Sequence, residues 1–235
     1  GIARWTSNFT PPSSPYETDT TSPTVSSTSP ANSSTGVGVS SAISATFSED
    51  MDSTTITTSA FTLSSSGSSV GGTVSYSNKT ATFTPSSNLS YSTTYTAKIT
   101  TGVKDVSGNA MSSDYTWSFT TGSTPDTTAP SGSVSINSGA SHTNLSTVTL
   151  TLTATDSTGV TGYYISDSST TPSASASGWT SVTSTTSYSA TVSYSLSGGE
   201  GGKTIYVWYK DAAGNVSNSA SDTIILDTTA PTVNI

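Results

Sequence analysis

The chain has 235 residues, a formal net charge of −8 at neutral pH and no cysteine. Its length suits two domains of ordinary size, and an acidic balance without a basic patch argues against nucleic acid and anionic membranes as partners. No apolar run is long enough to cross a membrane, no disulfide can form, and the composition, poor in Lys and Glu, looks extracellular rather than cytosolic.

Ser and Thr make up roughly 44% of the chain, a composition found both in disordered stalks and in sheets that carry Thr on their solvent faces. Alternation decides between these two classes. Segments such as AISATF (42–47) and TVTLTLTA (147–154) alternate apolar residues with Ser or Thr, which is the period of a half-buried strand. No amphipathic helical stretch is found, so the sequence predicts an all-β fold.

A short phrase recurs along the chain and marks its organisation. DTTSP at 19–23 is followed by DTTAP at 126–130 and again at 227–231, which indicates a tandem array. In each copy a proline fixes φ just before a strand-like segment, as expected of a linker that enters a new domain. We therefore predict an extended segment (1–22), a first domain (23–122), a linker (123–130), a second domain (131–227) and an exit segment (228–235) that is a linker or an inter-subunit strand.

Strand-like segments follow one another every 8–12 residues, with Ser, Gly, Asn and Pro between them, and seven per domain predict two tandem Ig-like antiparallel sandwiches. The first domain has predicted strands near 25–29, 40–47, 60–64, 72–77, 80–84, 93–100 and 114–120. The second has them near 133–136, 147–155, 160–166, 179–183, 188–195, 204–210 and 222–226. The predicted core is Ile43, Ala45, Phe47, Phe83, Tyr95, Ala97, Ile99, Tyr115, Trp117 and Phe119, then Leu150, Leu152, Ala154, Ile205, Val207, Tyr209, Ile224 and Leu226.

The opening segment is too apolar for a free tail and too short for a domain. Trp5 and Phe9 lie in it together with several prolines. We expect these residues to contact either an upstream domain or a neighbouring chain, to which they would add a strand. The second possibility would make the protein a filament subunit.

Acidic residues are few, yet they occupy equivalent places in the two domains. KDVSGNA (104–110) and KDAAGNV (210–216) are near copies, and both precede the last predicted strand. In an Ig sandwich the incoming linker, the loop after the second strand and the loop before the last strand lie at one pole. The residues that should meet there are Asp126, Asp156, Asp211 and Asn215 in the second domain, and Asp19, Glu49, Asp105 and Asn109 in the first.

Such a group of carboxylates repels itself unless a cation lies between its members. Calcium prefers six to eight oxygen ligands from Asp, Asn and backbone carbonyls, so the hypothesis is a Ca²⁺ ion at each interdomain pole. The competing interpretation is that Asp-x-x-Gly-Asn is only a tight turn, in which Asp accepts backbone N–H bonds and Gly takes a positive φ.

An aromatic strip is predicted on the second domain. If Ile205, Val207 and Tyr209 face the core, Tyr206 and Trp208 point to the opposite face, and Tyr163 or Tyr164 joins them from an adjacent strand. Such a strip can stack on sugar rings as a ligand-binding surface. Alternatively, the aromatic pairs only stabilise the sheet.

The sequence contains few residues that could serve in catalysis. His142 is the single histidine and there is no cysteine, so nucleophilic catalysis would depend on one side chain in a Ser- and Thr-rich loop. The acidic stretch 48–52 reads as a turn rather than a cleft with paired carboxylates. We predict that the protein is not an enzyme.

Three stretches resemble known families. FSEDMD, TFTP, YSTTYT and WSFTT occur in that order within 23–122, which resembles the bacterial Ig-like domain of S-layer (SbsA-like) and other surface proteins. TATDSTGV and YVWYKDAAGNVS, flanked by DTTAP, make 128–227 similar to the Ig-like repeats of large adhesins, in which calcium is thought to stiffen the linkers. The opening GIARWTSNFTPPSSPY resembles the end of a laminin-G-like, concanavalin-type domain.

These resemblances imply a non-catalytic module of a bacterial surface or secreted protein. We expect an extracellular stalk, spacer or assembly unit whose partners are neighbouring domains or copies of the same chain. The alternatives are an adhesin module that binds a glycan or protein, and accessory domains of a secreted carbohydrate-active enzyme.

Overall fold

The structure, a computed structural model, describes residues 18–231. The chain divides into two units, Gly1–Thr124 and Pro125–Ile235. Within the described residues the regular structure is β-strand apart from one 3₁₀ turn at Ser53–Thr55, so the all-β prediction is confirmed. In the same residues no helix has the length and apolar character needed to span a membrane.

The first unit is a sandwich of two sheets. Its strands are β1 (Val25–Ser29), β2 (Ser34–Val37), β3 (Ile43–Phe47), β4 (Phe61–Ser65), β5 (Ser68–Ser69), β6 (Gly72–Ser77), β7 (Thr80–Pro85), β8 (Thr94–Ile99) and β9 (Tyr115–Thr121). One sheet has the order β1-β3-β7-β6 and the other β2-β9-β8-β4-β5. The seven predicted strands are all present, and β2 and β5 were not predicted because they are short and Ser-rich.

The core of the first unit lies between these sheets. The predicted inward residues are buried, except Tyr115, which is half-buried against them. Their alternation along β3, β8 and β9 follows from the two-residue period of a strand. Loop residues such as Met51 and Val103 complete the core, and no periodic pattern marks them in the sequence.

The second unit contains six strands, two of them long. They are β10 (Ser131–Ile136), β11 (His142–Thr143), β12 (Thr147–Ser166), β13 (Thr180–Ser195), β14 (Gly201–Asp211) and β15 (Ala220–Leu226). The order is β10-β12-β14-β15-β11, with β13 paired to β12. Each of the two long strands was predicted as two separate strands, and that prediction is wrong.

A bulge explains the continuity of β12. The ladder between β12 and β13 shifts register between Thr155 and Val160, and Gly159 there has a φ of 112°. From Thr155 to Val160 β12 advances five residues while β13 advances two, and such extra residues bend a strand without ending the pairing. The first part of β12 pairs with β10 and the second part with β14, so one strand contributes to both sides of the fold.

Bonds between side chain and backbone connect the two sides across the core of the second unit. The backbone N–H of Ile136 on β10 donates to Asp222 Oδ2 at 2.7 Å, and the Tyr209 hydroxyl on β14 donates to the carbonyl of Ser133. All eight predicted core residues of this unit are buried. The predicted all-β, Ig-like sandwich fold is confirmed, and the division into two tandem sandwiches stays a prediction.

Candidate functional site

Two acidic clusters form, one in each unit. The first cluster is Asp19, Glu49 and Asp105, and the second cluster is Asp126, Asp156 and Asp211. Within each cluster, one carboxylate oxygen per residue lies within 4.8 Å of the others. The sequence predicts that these six carboxylates form two groups, and the structure brings the members of each group together.

The repeated Lys-Asp-x-x-Gly-Asn segments are tight turns. The Asp105 Oδ1 atom accepts the backbone N–H groups of Ser107 and Asn109, both at 2.8 Å. Asp211 Oδ1 accepts the N–H of Asn215 at 2.9 Å in the same way. Gly108 and Gly214 have φ values of 94° and 89°, a region in which glycine is free of the steric cost of a Cβ. The hydrogen bonds and the positive φ values are those of the predicted tight turns.

The two asparagines connect each turn to the incoming linker. Asn215 Nδ2 donates to Asp211 Oδ2 at 2.7 Å and to the carbonyl of Asp126 at 3.2 Å. Asn109 makes the equivalent bonds to Asp105 Oδ2 at 2.8 Å and to the carbonyl of Asp19 at 3.0 Å. Each asparagine therefore presents an N–H donor to its cluster, and its role as an ion ligand stays a prediction.

The second cluster contains a carboxylate oxygen without a partner. Asp156 is 7% exposed, and its Oδ1 accepts the N–H groups of Thr158 and Gly159, both at 2.9 Å. Among the described residues, nothing donates a hydrogen bond to its buried Oδ2. Burying an ionised oxygen without a hydrogen bond or counter-charge is costly, so this atom needs an explanation.

A threonine hydroxyl lies between two of these acids. Thr158 Oγ1 is 2.6 Å from Asp126 Oδ2 and 2.6 Å from Asp156 Oδ1. A hydroxyl has one hydrogen and can donate it to only one of two carboxylates. Sequence reasoning missed Thr158, although its position two residues after Asp156 and just before a glycine is a signature of such turns.

Hydrogen bonding favours the ionised form of two acids in the second cluster. The pKa of Asp126 is lowered, first by the Thr158 hydroxyl and then by the backbone N–H of Thr128. The pKa of Asp156 is lowered as well, first by the same hydroxyl, with burial opposing and the N–H groups of Thr158 and Gly159 adding to the effect. Both carboxylates therefore hold their negative charge in the folded state.

The first cluster is electrostatically different. Burial, followed by the charge of Asp19, raises the pKa of Glu49. The pKa of Asp19 is lowered, chiefly by the N–H and hydroxyl of Thr21. For Asp105 burial acts upward, but the side-chain and backbone bonds from Asn109 and further N–H groups leave its pKa lowered. Glu49 thus takes up a proton more readily than a free glutamate.

The predicted aromatic strip is not an open surface. Trp208 is completely buried, and Tyr206 and Tyr163 are half-buried. Trp208 stacks on Tyr206 and contacts Tyr164 edge-on. Tyr164 in turn contacts Trp179, which lies in the loop between β12 and β13. The prediction that Trp208 offers its face to a sugar is wrong, because the second face of this sheet is itself packed.

Further contacts hold that loop in place. Lys210 Nζ donates to the carbonyl of Ala174 at 2.9 Å and lies 4.8 Å from the Trp179 ring centroid, a cation–π distance.

Trp5 and Phe9, predicted to make inter-subunit or upstream contacts, lie outside the described residues.

Comparisons with known proteins agree with this architecture. Residues 19–121 match the family described as Bacterial Ig-like domain. None of the curated proteins matches the chain.

Several solved structures align with most of this chain at low TM-scores. The N-terminal part of the bacterial S-layer protein SbsC shares 19% identity, with a TM-score of 0.36 over 87% of this chain and 44% of its own. Domains MG0-NIE-MG1 of alpha-2-macroglobulin from Escherichia coli share 14%, with a TM-score of 0.35 over 87% and 71%. The fibronectin(III)-like modules of Clostridium thermocellum CbhA share 16%, with a TM-score of 0.29 over 87% and 93%.

The present chain thus spans less than half of the SbsC chain it matches. At these identities the similarities concern the fold alone. Residues 19–121 are similar in sequence to bacterial Ig-like domains.

Proposed function

We propose that this chain is a non-catalytic structural module of a bacterial cell-surface or secreted protein, serving as a stalk, spacer or assembly unit. The match of residues 19–121 to the bacterial Ig-like domain is the observation that carries the proposal. The printed description of SbsC as an S-layer protein favours the same class. Neighbouring domains of a longer chain and copies of this chain are the proposed partners.

We further propose that the second cluster binds calcium. Asp126, Asp156 and Asp211 would supply carboxylate oxygens, and the unpartnered Asp156 Oδ2 is the donor atom that most needs a cation. Hard oxygen ligands without nitrogen or sulfur favour Ca²⁺ over transition metals. The ion would neutralise the acids and connect the linker residue Asp126 to Asp156 on β12 and Asp211 at the end of β14.

A calcium ion at the first cluster is a weaker proposal. Among the described residues, the carboxylates of this cluster have no buried oxygen without a hydrogen-bond partner, unlike Asp156 Oδ2 in the second cluster. We expect this cluster to bind calcium with lower affinity than the second cluster. Replacing Glu49 by Gln should then leave the tighter binding step unchanged.

Calorimetric titration of calcium into the metal-free chain tests the proposed ion. We expect binding with a Kd of about 10⁻⁴–10⁻³ M, the range of extracellular calcium sites. Asp156→Asn should weaken the tighter step at least tenfold, whereas Asp167→Asn, which changes an exposed acid outside the cluster, should not. A wild-type chain that retains no calcium in equilibrium dialysis at millimolar concentration contradicts the proposal.

The structural role itself is tested by pulling single molecules of the chain between two handles. A load-bearing spacer should unfold in discrete domain steps, and the step of the second unit should need more force in calcium than in EDTA. Binding to a glycan array at micromolar concentration would instead favour the adhesin alternative. Trp208, the tryptophan on which the sugar-binding hypothesis relied, is buried.

A further inference from the structure

Strand β13 forms a long sheet edge in the second unit. It pairs with β12 on one side, and within residues 18–231 no strand pairs with its other side. From Ser187 to Ser195 the pairing with β12 is one-to-one and free of bulges. The residues from Thr180 to Ser195 include no charged side chain and no proline, the usual devices that keep exposed edges from pairing.

The backbone groups on this edge alternate in direction. The N–H of Leu196 donates to the carbonyl of Ser146 at 2.8 Å, on the β12 side. Ser187 instead exchanges bonds with the Thr185 hydroxyl of its own strand, at 3.3 and 3.0 Å. In an antiparallel ladder alternate residues point to opposite neighbours, so the odd-numbered residues from Ser187 to Ser195 direct their N–H and C=O groups away from β12.

The sequence of this edge is almost identical read in either direction. Residues 187–195 are Ser-Tyr-Ser-Ala-Thr-Val-Ser-Tyr-Ser. An antiparallel pair of two such strands, with a two-fold axis at Thr191, matches Ser with Ser and Tyr with Tyr, and only Ala190 faces a different residue, Val192 of the second copy. The backbone N–H and C=O groups of Thr191 point away from β12 and towards the second copy. The two Thr191 residues at the axis would therefore form a hydrogen-bonded pair of the antiparallel ladder.

Both faces of the paired strands would also match. The odd-numbered side chains from Ser187 to Ser195 are exposed hydroxyls, and the even-numbered ones from Tyr188 to Tyr194 are half-buried. Tyr188, Val192 and Tyr194 pack on the core of the second unit, and the free edge beside them leaves part of each ring or branch in water. A second β13 would cover these apolar atoms, and no charge on either strand would oppose the approach.

We propose that two copies of this chain associate through antiparallel pairing of Ser187–Ser195 across a two-fold axis at Thr191. This interface goes beyond the proposed function and needs no calcium. The three inner odd-numbered pairs exchange two bonds each, which gives about six bonds, and the two outer Ser187–Ser195 pairs form when Ser187 exchanges its bonds to the Thr185 hydroxyl for the second copy. A single strand edge buries less than the ~1,200 Å² below which interfaces are weak, so we expect a dissociation constant in the micromolar range.

Cysteine cross-linking of the full chain tests the register. The chain has no cysteine of its own. The two Thr191 Cα atoms would lie ~5.5 Å apart, inside the range of a disulfide, so Thr191→Cys should give a covalent dimer under mild oxidation. Ser189→Cys alone should not, because the two copies of that position would be ~15 Å apart. Combining Ser189→Cys with Ser193→Cys should restore cross-linking, because those two positions face each other.

Sedimentation equilibrium tests the affinity. The wild-type chain should show reversible dimers, and Thr191→Lys, which opposes two like charges at the axis, should raise the dissociation constant at least tenfold. Thr149→Lys adds the same charge to an exposed position on the interior strand β12 and should leave dimerisation unchanged. A wild-type mass that stays at 23.7 kDa up to millimolar concentration, or equal cross-linking of Thr191→Cys and Ser189→Cys, overturns the proposal.

Discussion

Replacing Asp156 by Asn separates a calcium site from a simple turn. The substitution keeps the size of the side chain and an oxygen that can accept the Thr158 and Gly159 N–H groups. It removes the negative charge and replaces one carboxylate oxygen by an amide NH₂ group. A turn should therefore survive the change, whereas a calcium site should lose a principal ligand.

The expected size follows from the ligand set. Three carboxylates with oxygens within 4.8 Å of one another, without a dedicated bidentate loop, suggest an affinity of the extracellular class, ~10⁻⁴–10⁻³ M. At ~10 mM calcium, binding to the folded state alone then stabilises it by about 1.4–2.7 kcal/mol. For a domain of about 100 residues this corresponds to a rise in Tm of roughly 5–15 °C.

Differential scanning calorimetry of the full chain in calcium and in EDTA measures this rise. We expect it in the wild type and in Asp167→Asn, and we expect Asp156→Asn to melt at one temperature in both buffers. Magnesium should reproduce only a small part of the rise, because it gives up its water shell reluctantly. Superimposable wild-type curves in calcium and EDTA would refute the reasoning and leave the repeated segments as turns alone.

Three further outcomes follow from the structure. Trp208→Ala should lower the free energy of unfolding by about 3–5 kcal/mol in urea titrations, while Ile225→Ala, at a side chain 42% exposed, should change it by less than ~1 kcal/mol; similar losses for both variants would contradict the packed aromatic face. Gly132→Ala should cost about 1–3 kcal/mol in the same assay, because a Cβ there overlaps a carbonyl of β12 and an aromatic ring, and Gly199→Ala, with open space around it, is the control. In EDTA, the lowered pKa of Asp156 means that its ionised form stabilises the fold above pH 3.8, the ordinary pKa, and that this contribution is lost as the pH falls through the lower pKa of the folded state. When the urea midpoint is plotted against pH, Asp156→Asn should therefore make its fall at acid pH less steep. An unchanged fall would argue against the assignment.

Much of the fold could be predicted because strand alternation is local. Ile43, Ala45 and Phe47 are buried as the two-residue period requires, and so are Ile205, Val207 and Tyr209. The same period indicated that Trp208 points to the opposite face, which is correct. It could not reveal that Trp179, some thirty positions earlier, would help to pack that face, because the loop between β12 and β13 has no period of its own.

The acidic clusters show the same division. The repeated Lys-Asp-x-x-Gly-Asn segments and the recurring linker phrase determined by themselves that carboxylates meet at one end of each sandwich, since sandwich topology fixes which loops are neighbours. Only the tertiary structure decided that the asparagines donate to the acids, that Thr158 bridges two carboxylates and that Asp156 keeps a buried oxygen without a donor. These features depend on differences of a few tenths of an ångström in the distances between side chains, and those distances are set by residues far apart in the chain. A sequence pattern contains no information of that precision.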